Sequence, residues 1–370
     1  MKNRKYLTLL LPLAFILLCR QDRGIADFYA LRLYPTISGL LSHISSRFPF
    51  SLEEIIVVGI VYSMVRAVVV GIRRKHKALR ILGKELRIIL WTVAWFYLGW
   101  GINYFRSSLP ERMETPLARY DEARFKAFLE GYAGKLNGTY QDNGTIDLGQ
   151  ASDGPGGKDG REGKAGKGGK DGRGGREAFP NLARDVRNFY GKVDRKAGLA
   201  RPRRWQQPKT ALASGLFSKV GVTGSMGPFM SESLLNGDMP ASEYPFTFAH
   251  EFAHLMGVSS EAEANYWAFR FCESSNDPAV QYSGYLTLLG NILRNASALL
   301  SEEDFAAFSA SIDDRVKADF NARSEYWSQK YSRLLGSIQN AMYNAYLKGN
   351  GISSGTRNYD EVLGLLMTEF

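Results

Sequence analysis

The chain has 370 residues, 45% hydrophobic and 12% aromatic, which is enough for two domains of ordinary size with buried cores and excludes wholesale disorder. Its two cysteines, Cys19 and Cys272, stand far apart in unlike contexts, so neither a disulfide framework nor a cysteine zinc cluster is available. The formal charge of +10 gathers in the N-terminus (Lys2, Arg4, Lys5), the Arg73–Arg87 stretch and the Asp153–Glu177 stretch; the remainder is close to neutral, which excludes a basic groove for nucleic acid.

In chain order, three apolar segments come first. Tyr6–Cys19 is expected to be an uncleaved anchor, because no small-residue cleavage site follows it. Ile55–Ile72 is broken only by Arg66, which lies near enough to the charged end for its guanidinium to snorkel to the interface. Ile88–Phe105 is 18 residues without a charge, with Trp91, Trp95, Trp100, Tyr97 and Tyr104 suited to lipid interfaces. These predict transmembrane helices at about 6–19, 55–72 and 88–105 inside a membrane region spanning 1–110. The basic loop Arg73–Arg87 should stay in the cytoplasm, so the three helices run outward, inward and outward, and residues 111–370 form a domain outside the cytoplasmic membrane. The amphipathic stretch at 34–50 is expected on the bilayer surface or beneath that domain.

The outer domain reads as mainly α with a minor β component. Helical spacing is expected at Thr115–Leu136, Phe179–Leu199, Pro245–Gly257, Glu261–Glu273, Tyr282–Leu299, Glu303–Phe320, Ser324–Leu347 and Tyr359–Met367, with a small sheet within Ser214–Asn236. A Gly-rich insertion occupies 150–177, and from Gly154 glycine falls at every third position for eight triplets. Only one proline accompanies that period and the run is short, so a flexible, solvated insertion is expected in preference to a collagen-like assembly. RPRRW (Arg201–Trp205) reads as a solvated basic turn, and Cys272 as a core residue.

The chemistry lies in PFTFAHEFAHLMGVSSEAEANYW. His250 and His254, four apart, project from one helical face at a separation suited to two zinc ligands. Glu251 is then placed to take a proton from a metal-activated water, as catalytic base. With four histidines in the chain, HExxH arises by chance in roughly two per thousand such sequences, so coincidence is a weak account. The other histidines, His43 and His76, belong to the membrane region, which leaves a carboxylate as third ligand. Glu261 is preferred over Glu263: it shares a helical face with Asn265, which would hold a ligating histidine through its second ring nitrogen, whereas Glu263 faces Trp267 and Arg270 as an outer residue.

HExxH followed by a helix carrying Glu261, Ala264 and Asn265 resembles the Glu-zincin metallopeptidases, although the connection here is shorter than in the best-known members. Met256-Gly257 is similar to the metzincin motif, but Ser260 stands where a third histidine would be required. Over most of the chain, FPFSLEE, WGINYFR, PFTFAHEFAHLMGVSSEAEAN and NYDEVLGLLM resemble a bacterial membrane-anchored family known as domain of unknown function 3810. The resemblances imply N-terminal transmembrane helices followed by a helix-rich, zincin-like domain: a zinc metallopeptidase cleaving protein or peptide in the cell envelope, with Zn2+ as cofactor and the lipid bilayer as partner. By the same analogy Val220–Met230 would border the cleft as an edge strand, and an oxyanion donor is sought among Tyr282, Tyr285, Tyr326 and Tyr331. Two alternatives stay open: a non-catalytic, metal-stabilised envelope scaffold, and a zinc amidase acting on a cell-wall peptide.

Overall fold

The computed structural model describes residues 4–75, 78–140, 174–352 and 361–368. The N-terminal part comprises α1 (Arg4–Gln21), α2 (Arg23–Phe28), a wide turn over Tyr29–Leu33, α3 (Tyr34–Ser45), α4 (Leu52–Arg73) and α5 (Ala78–Gly99). After it come α6 (Leu109–Arg112), α7 (Glu122–Thr139), α8 (Gly174–Ala178), α9 (Leu182–Lys192), β1 (Lys209–Thr210), α10 (Ser214–Val220), β2 (Gly224–Gly227) and β3 (Glu232–Leu235). The chain closes with α11 (Tyr244–Leu255), α12 (Glu261–Glu273), α13 (Pro278–Leu299), α14 (Glu302–Ser311), α15 (Asp314–Lys330), α16 (Arg333–Gly349) and α17 (Val362–Leu366). The protein is mainly helical with one small mixed sheet, ordered β1-β3-β2, in which β3 runs parallel to β1 and antiparallel to β2.

Among the described helices α4 is long and apolar enough to cross a membrane: it has 22 residues and a mean hydropathy of 2.4, and its flank is almost wholly uncovered by protein. Ser51 caps it, accepting from Glu54 N at 3.0 Å. The segment expected to span at Ile88–Phe105 is divided differently. Its helix, α5, starts at Ala78, takes in Arg80, Lys84, Glu85 and Arg87, and stops at Gly99. Gly101–Phe105 is instead a tight 3-10 turn, with Ile102 and Asn103 fully buried. Two glycines permit this close packing: a Cβ on Gly99 would stand 2.7 Å from Pro228 O, and one on Gly101 2.4 Å from the Phe96 ring. Trp100, read from the sequence as an interface residue, donates its Nε1–H to His254 O at 2.9 Å. An apolar aromatic run serves a lipid boundary and a protein core equally well, and here its end packs in the core.

Other expectations move by a turn or divide. Residues 115–121 are not helical, and α7 begins after Asp121, whose carboxylate accepts from Arg124 N. The helices expected at Glu303–Phe320 and Ser324–Leu347 are three, because Asp313 and Ser332 each cap a new start. Ser214–Val220 is helical, and the sheet holds only the two strands after it together with β1. Residues 150–173 of the Gly-rich insertion lie outside the described residues; Gly174–Glu177 belong to α8, whose Gly175 abuts the Tyr244 ring. α3 buries a row of small residues, Ser38, Ser42 and Ser45, against the rest of the fold, and Tyr34 at its start donates to Leu255 O at 2.8 Å. In RPRRW, Arg201 bonds the Gly191 and Val193 carbonyls and Trp205 stacks edge-on against His43.

Candidate metal centre

α11 is the innermost helix, buried along its whole length, with Pro245 in the first turn where its missing N–H costs nothing. It ends at Leu255, and Gly257, at φ +95°, reverses the chain in a conformation that a side chain would strain. Ser260 then caps α12, accepting from Glu263 N, so Glu261 opens a helix that runs back alongside α11. This tight reversal brings the two helices into register and sets Glu261 opposite the histidine face.

The three candidate ligands converge. His250 Nε2 lies 3.1 Å from Glu261 Oε2 and 3.1 Å from His254 Nε2, and His254 Nε2 lies 3.4 Å from the same carboxylate oxygen. Around a tetrahedral zinc with bonds of about 2.0–2.1 Å, ligand atoms stand about 3.3 Å apart, which these separations match. His254 Nδ1 is 2.7 Å from Val258 O; an imidazole donating there keeps its Nε2 lone pair for a metal. Two imidazole nitrogens facing each other beside a carboxylate form an N,N,O donor set of the zinc-binding kind, so the residues present fit the ion.

The electrostatics of the cluster are strongly coupled. Burial disfavours a charged Glu261, but the pull of His254 and His250 and their hydrogen bonds outweighs it, holding its carboxyl well below the usual range. Burial also works against a charged His254, yet Glu261 dominates and lifts it to about 9. For Glu251 burial pushes the carboxyl up, opposed by the two histidines. Glu251 fits beside β2 because Gly224 has no side chain: a Cβ there would sit 2.7 Å from Glu251 Oε1.

A cavity of about 730 Å³ opens over the cluster, lined by all four of these residues and by Asn265. One wall is β2, an edge of the sheet, with Gly224, Ser225 and Met226 on the cavity. Asn265 does not bond either ring's second nitrogen: His254 uses Val258 O, and His250 Nδ1 has no hydrogen-bond partner among the described residues. Glu263 points away from the cavity. It forms a buried ion pair with Arg112 and accepts from Trp267 Nε1 at 3.2 Å, while Arg270, the partner expected from the sequence, pairs with Glu273 at 2.6 Å. The reason is burial: Glu263 lies inside the fold, where Arg112 from α6 reaches it, whereas Arg270 stands half-exposed one turn before Glu273.

The tyrosines singled out from the sequence are all elsewhere. Tyr282 donates to Asp319 and Tyr285 to Glu273, Tyr326 donates to Asp238 O, and Tyr331 lies against Gly221 and Gly336; none of the four lines the cavity. The tyrosine that does reach the cluster is Tyr343 on α16, whose hydroxyl donates to Glu261 Oε1. It sits 82 residues beyond Glu261, so no local pattern announces it. Cys272 is fully buried, as a core residue.

A family model described as a protein of unknown function, DUF3810, matches residues 29–367. No curated protein and no solved structure matches the chain.

Proposed function

Since the chain belongs to the DUF3810 family, whose description names no activity, we propose from the site itself that it is a zincin-like, membrane-anchored zinc metallopeptidase. The observation that carries this reading is the convergence of His250, His254 and Glu261 at 3.1–3.4 Å in a cavity that also holds Glu251 and an open strand edge. A scaffold has use for the three ligands but none for a buried carboxylate beside them.

In this mechanism His250, His254 and Glu261 hold zinc, which when bound supplies Lewis-acid activation of water and of the scissile carbonyl. A peptide pairs with β2 by strand addition, which lays its backbone across the cavity. Glu251 accepts the proton of the attacking water and returns it to the leaving amine nitrogen as the C–N bond breaks. Tyr343, whose hydroxyl donates to Glu261 Oε1, turns that hydroxyl to donate to the carbonyl oxygen as negative charge develops there. Tyr343→Phe is therefore expected to lower kcat about 10²–10³-fold with zinc content unchanged, measured by turnover and metal analysis on one preparation. Unchanged turnover would remove Tyr343 from the mechanism.

α4 anchors the protein in the membrane; α5 packs on α4 and α1 on α5, and the apolar runs in their sequences support a reading in which both cross beside it. The basic turn between α4 and α5 fixes the orientation, leaving the catalytic domain on the outer side of the cytoplasmic membrane with envelope proteins or peptides as substrates. The reading is tested by incubating the purified full-length protein with a denatured-protein substrate: cleavage abolished by a chelator and restored by Zn2+ supports it, and chelator-insensitive or absent cleavage of every substrate offered overturns it.

A further inference from the structure

α16 is amphipathic in an unusual sense. One face closes the catalytic cavity through Gln339, Tyr343 and Tyr346. The neighbouring face carries Leu334 (70% exposed), Ile338 (50%) and Met342 (69%), spaced four apart as a continuous apolar stripe, with Ala341 and Ala345 along it. α10, which packs on α16, adds Leu212 just before it and Leu216, both more than half exposed. Ser332 N bonds Lys219 O at 2.9 Å and joins the two helices end to end. No acidic residue lies within either helix, while Lys219, Arg333 and Lys348 are exposed at their ends.

The position of this surface follows from what it is tied to. Glu54, in the first turn of α4, accepts from Leu212 N at 2.8 Å and Ala213 N at 2.7 Å, so α10 begins at the outer mouth of the membrane helix. At the other end of α16, Tyr346 packs on Phe96 and Asn350 accepts from the Tyr97 hydroxyl at 2.7 Å, both in the last turn of α5. α4 starts and α5 ends on the same side of their hairpin, so α10 and α16 lie across its outer end. The cavity shares that level: Phe96 and Trp100 line it, and beside it Glu53 of α4 accepts from Phe229 N and Met230 N at 2.9 Å.

We propose that α10 and α16 are interfacial helices seated in the outer leaflet, with Leu212, Leu216, Leu334, Ile338 and Met342 among the acyl chains, so that the catalytic cavity opens at headgroup level. This rests on the membrane-anchored reading above and narrows its substrates to peptide segments held at the membrane surface. A bilayer is the occupant that the chemistry selects: an apolar stripe with basic ends and no acid is the pattern of a helix lying on an anionic leaflet. The segments 141–173 and 353–360 are rich in Gly, Ser and charge and offer little apolar surface to cover such a stripe.

The test uses the full-length protein in nanodiscs of phosphatidylethanolamine and phosphatidylglycerol, spin-labelled singly at Leu216→Cys, Ile338→Cys or Met342→Cys. Val58→Cys on the lipid flank of α4 and Glu303→Cys on α14 serve as references, and collisional accessibility to oxygen and to a water-soluble nickel chelate is read at each. The expected result is an oxygen-favoured ratio at all three sites that matches Val58. A nickel-favoured ratio matching Glu303 overturns the proposal. So does low accessibility to both reagents, which with dipolar broadening identifies a second copy on the stripe and without it a protein cover. A water-like ratio at Val58 as well would place the fault in the membrane-anchored reading instead. None of these readouts needs zinc or turnover, so the proposal and the peptidase assignment fail separately.

Discussion

Glu251→Gln is expected to bind zinc as the unmutated protein does and to lose about 10²–10⁴-fold in hydrolysis, the usual contribution of a positioned general base. Glutamine preserves the volume that Gly224 leaves for this side chain and the packing along α11, while removing the ability to hold and return a proton. The substitution thus separates chemistry from structure. His250→Ala or His254→Ala would lose metal and activity together and could not say which came first. A Glu251→Gln protein that kept full turnover would remove Glu251 as base. The measurement is a matched pair of assays, turnover and metal content, on one preparation.

Arg112→Ala should cost about 3–5 kcal/mol of stability, because it leaves the Glu263 carboxylate buried without its cation. Both side chains are less than one-tenth exposed, and Arg112 also donates to Ala197 O at 2.8 Å and to Ser107 O, so one side chain ties α6, the tight turn at Arg195–Ala197 after α9, and α12 together. Removing both charges with volume retained, Arg112→Met with Glu263→Gln, is expected to recover most of that loss, since no uncompensated charge then remains. Melting curves of the two variants, recorded with chelator to exclude metal stabilisation, check this. Equal losses in the single and double variants would show that the backbone hydrogen bonds of Arg112, and not the ion pair, hold the α6 connection.

What could be read from the sequence was what lies close together along it. The candidate ligands span twelve residues, and a helical repeat of four followed by a glycine reversal almost dictates that His250, His254 and Glu261 meet. Helix α12 has the expected bounds for the same reason, with Ser260 as a cap and a uniform spacing after it. Contacts between distant segments were not legible. Tyr343 reaches Glu261 across 82 residues, Arg112 reaches Glu263 across 151, and Trp100 bonds the end of α11 across 154. Hydropathy also cannot tell a lipid-facing residue from a core residue, which is why Trp100–Phe105 reads as membrane and packs in the core against the end of α11. Tyr282, Tyr285, Tyr326 and Tyr331 lie away from the cavity for the same reason, since nothing local distinguishes a tyrosine facing a cavity from one bonded to a distant acceptor.

The most direct measurement is the metal content of the purified full-length protein and of three variants, Glu261→Ala, Glu263→Ala and Glu251→Gln. One equivalent of zinc in the unmutated protein, lost in Glu261→Ala and retained in Glu263→Ala and Glu251→Gln, is the predicted result. Zinc absent from the unmutated protein after loading, or unchanged when Glu261 is removed, would contradict the metal centre and with it the peptidase reading.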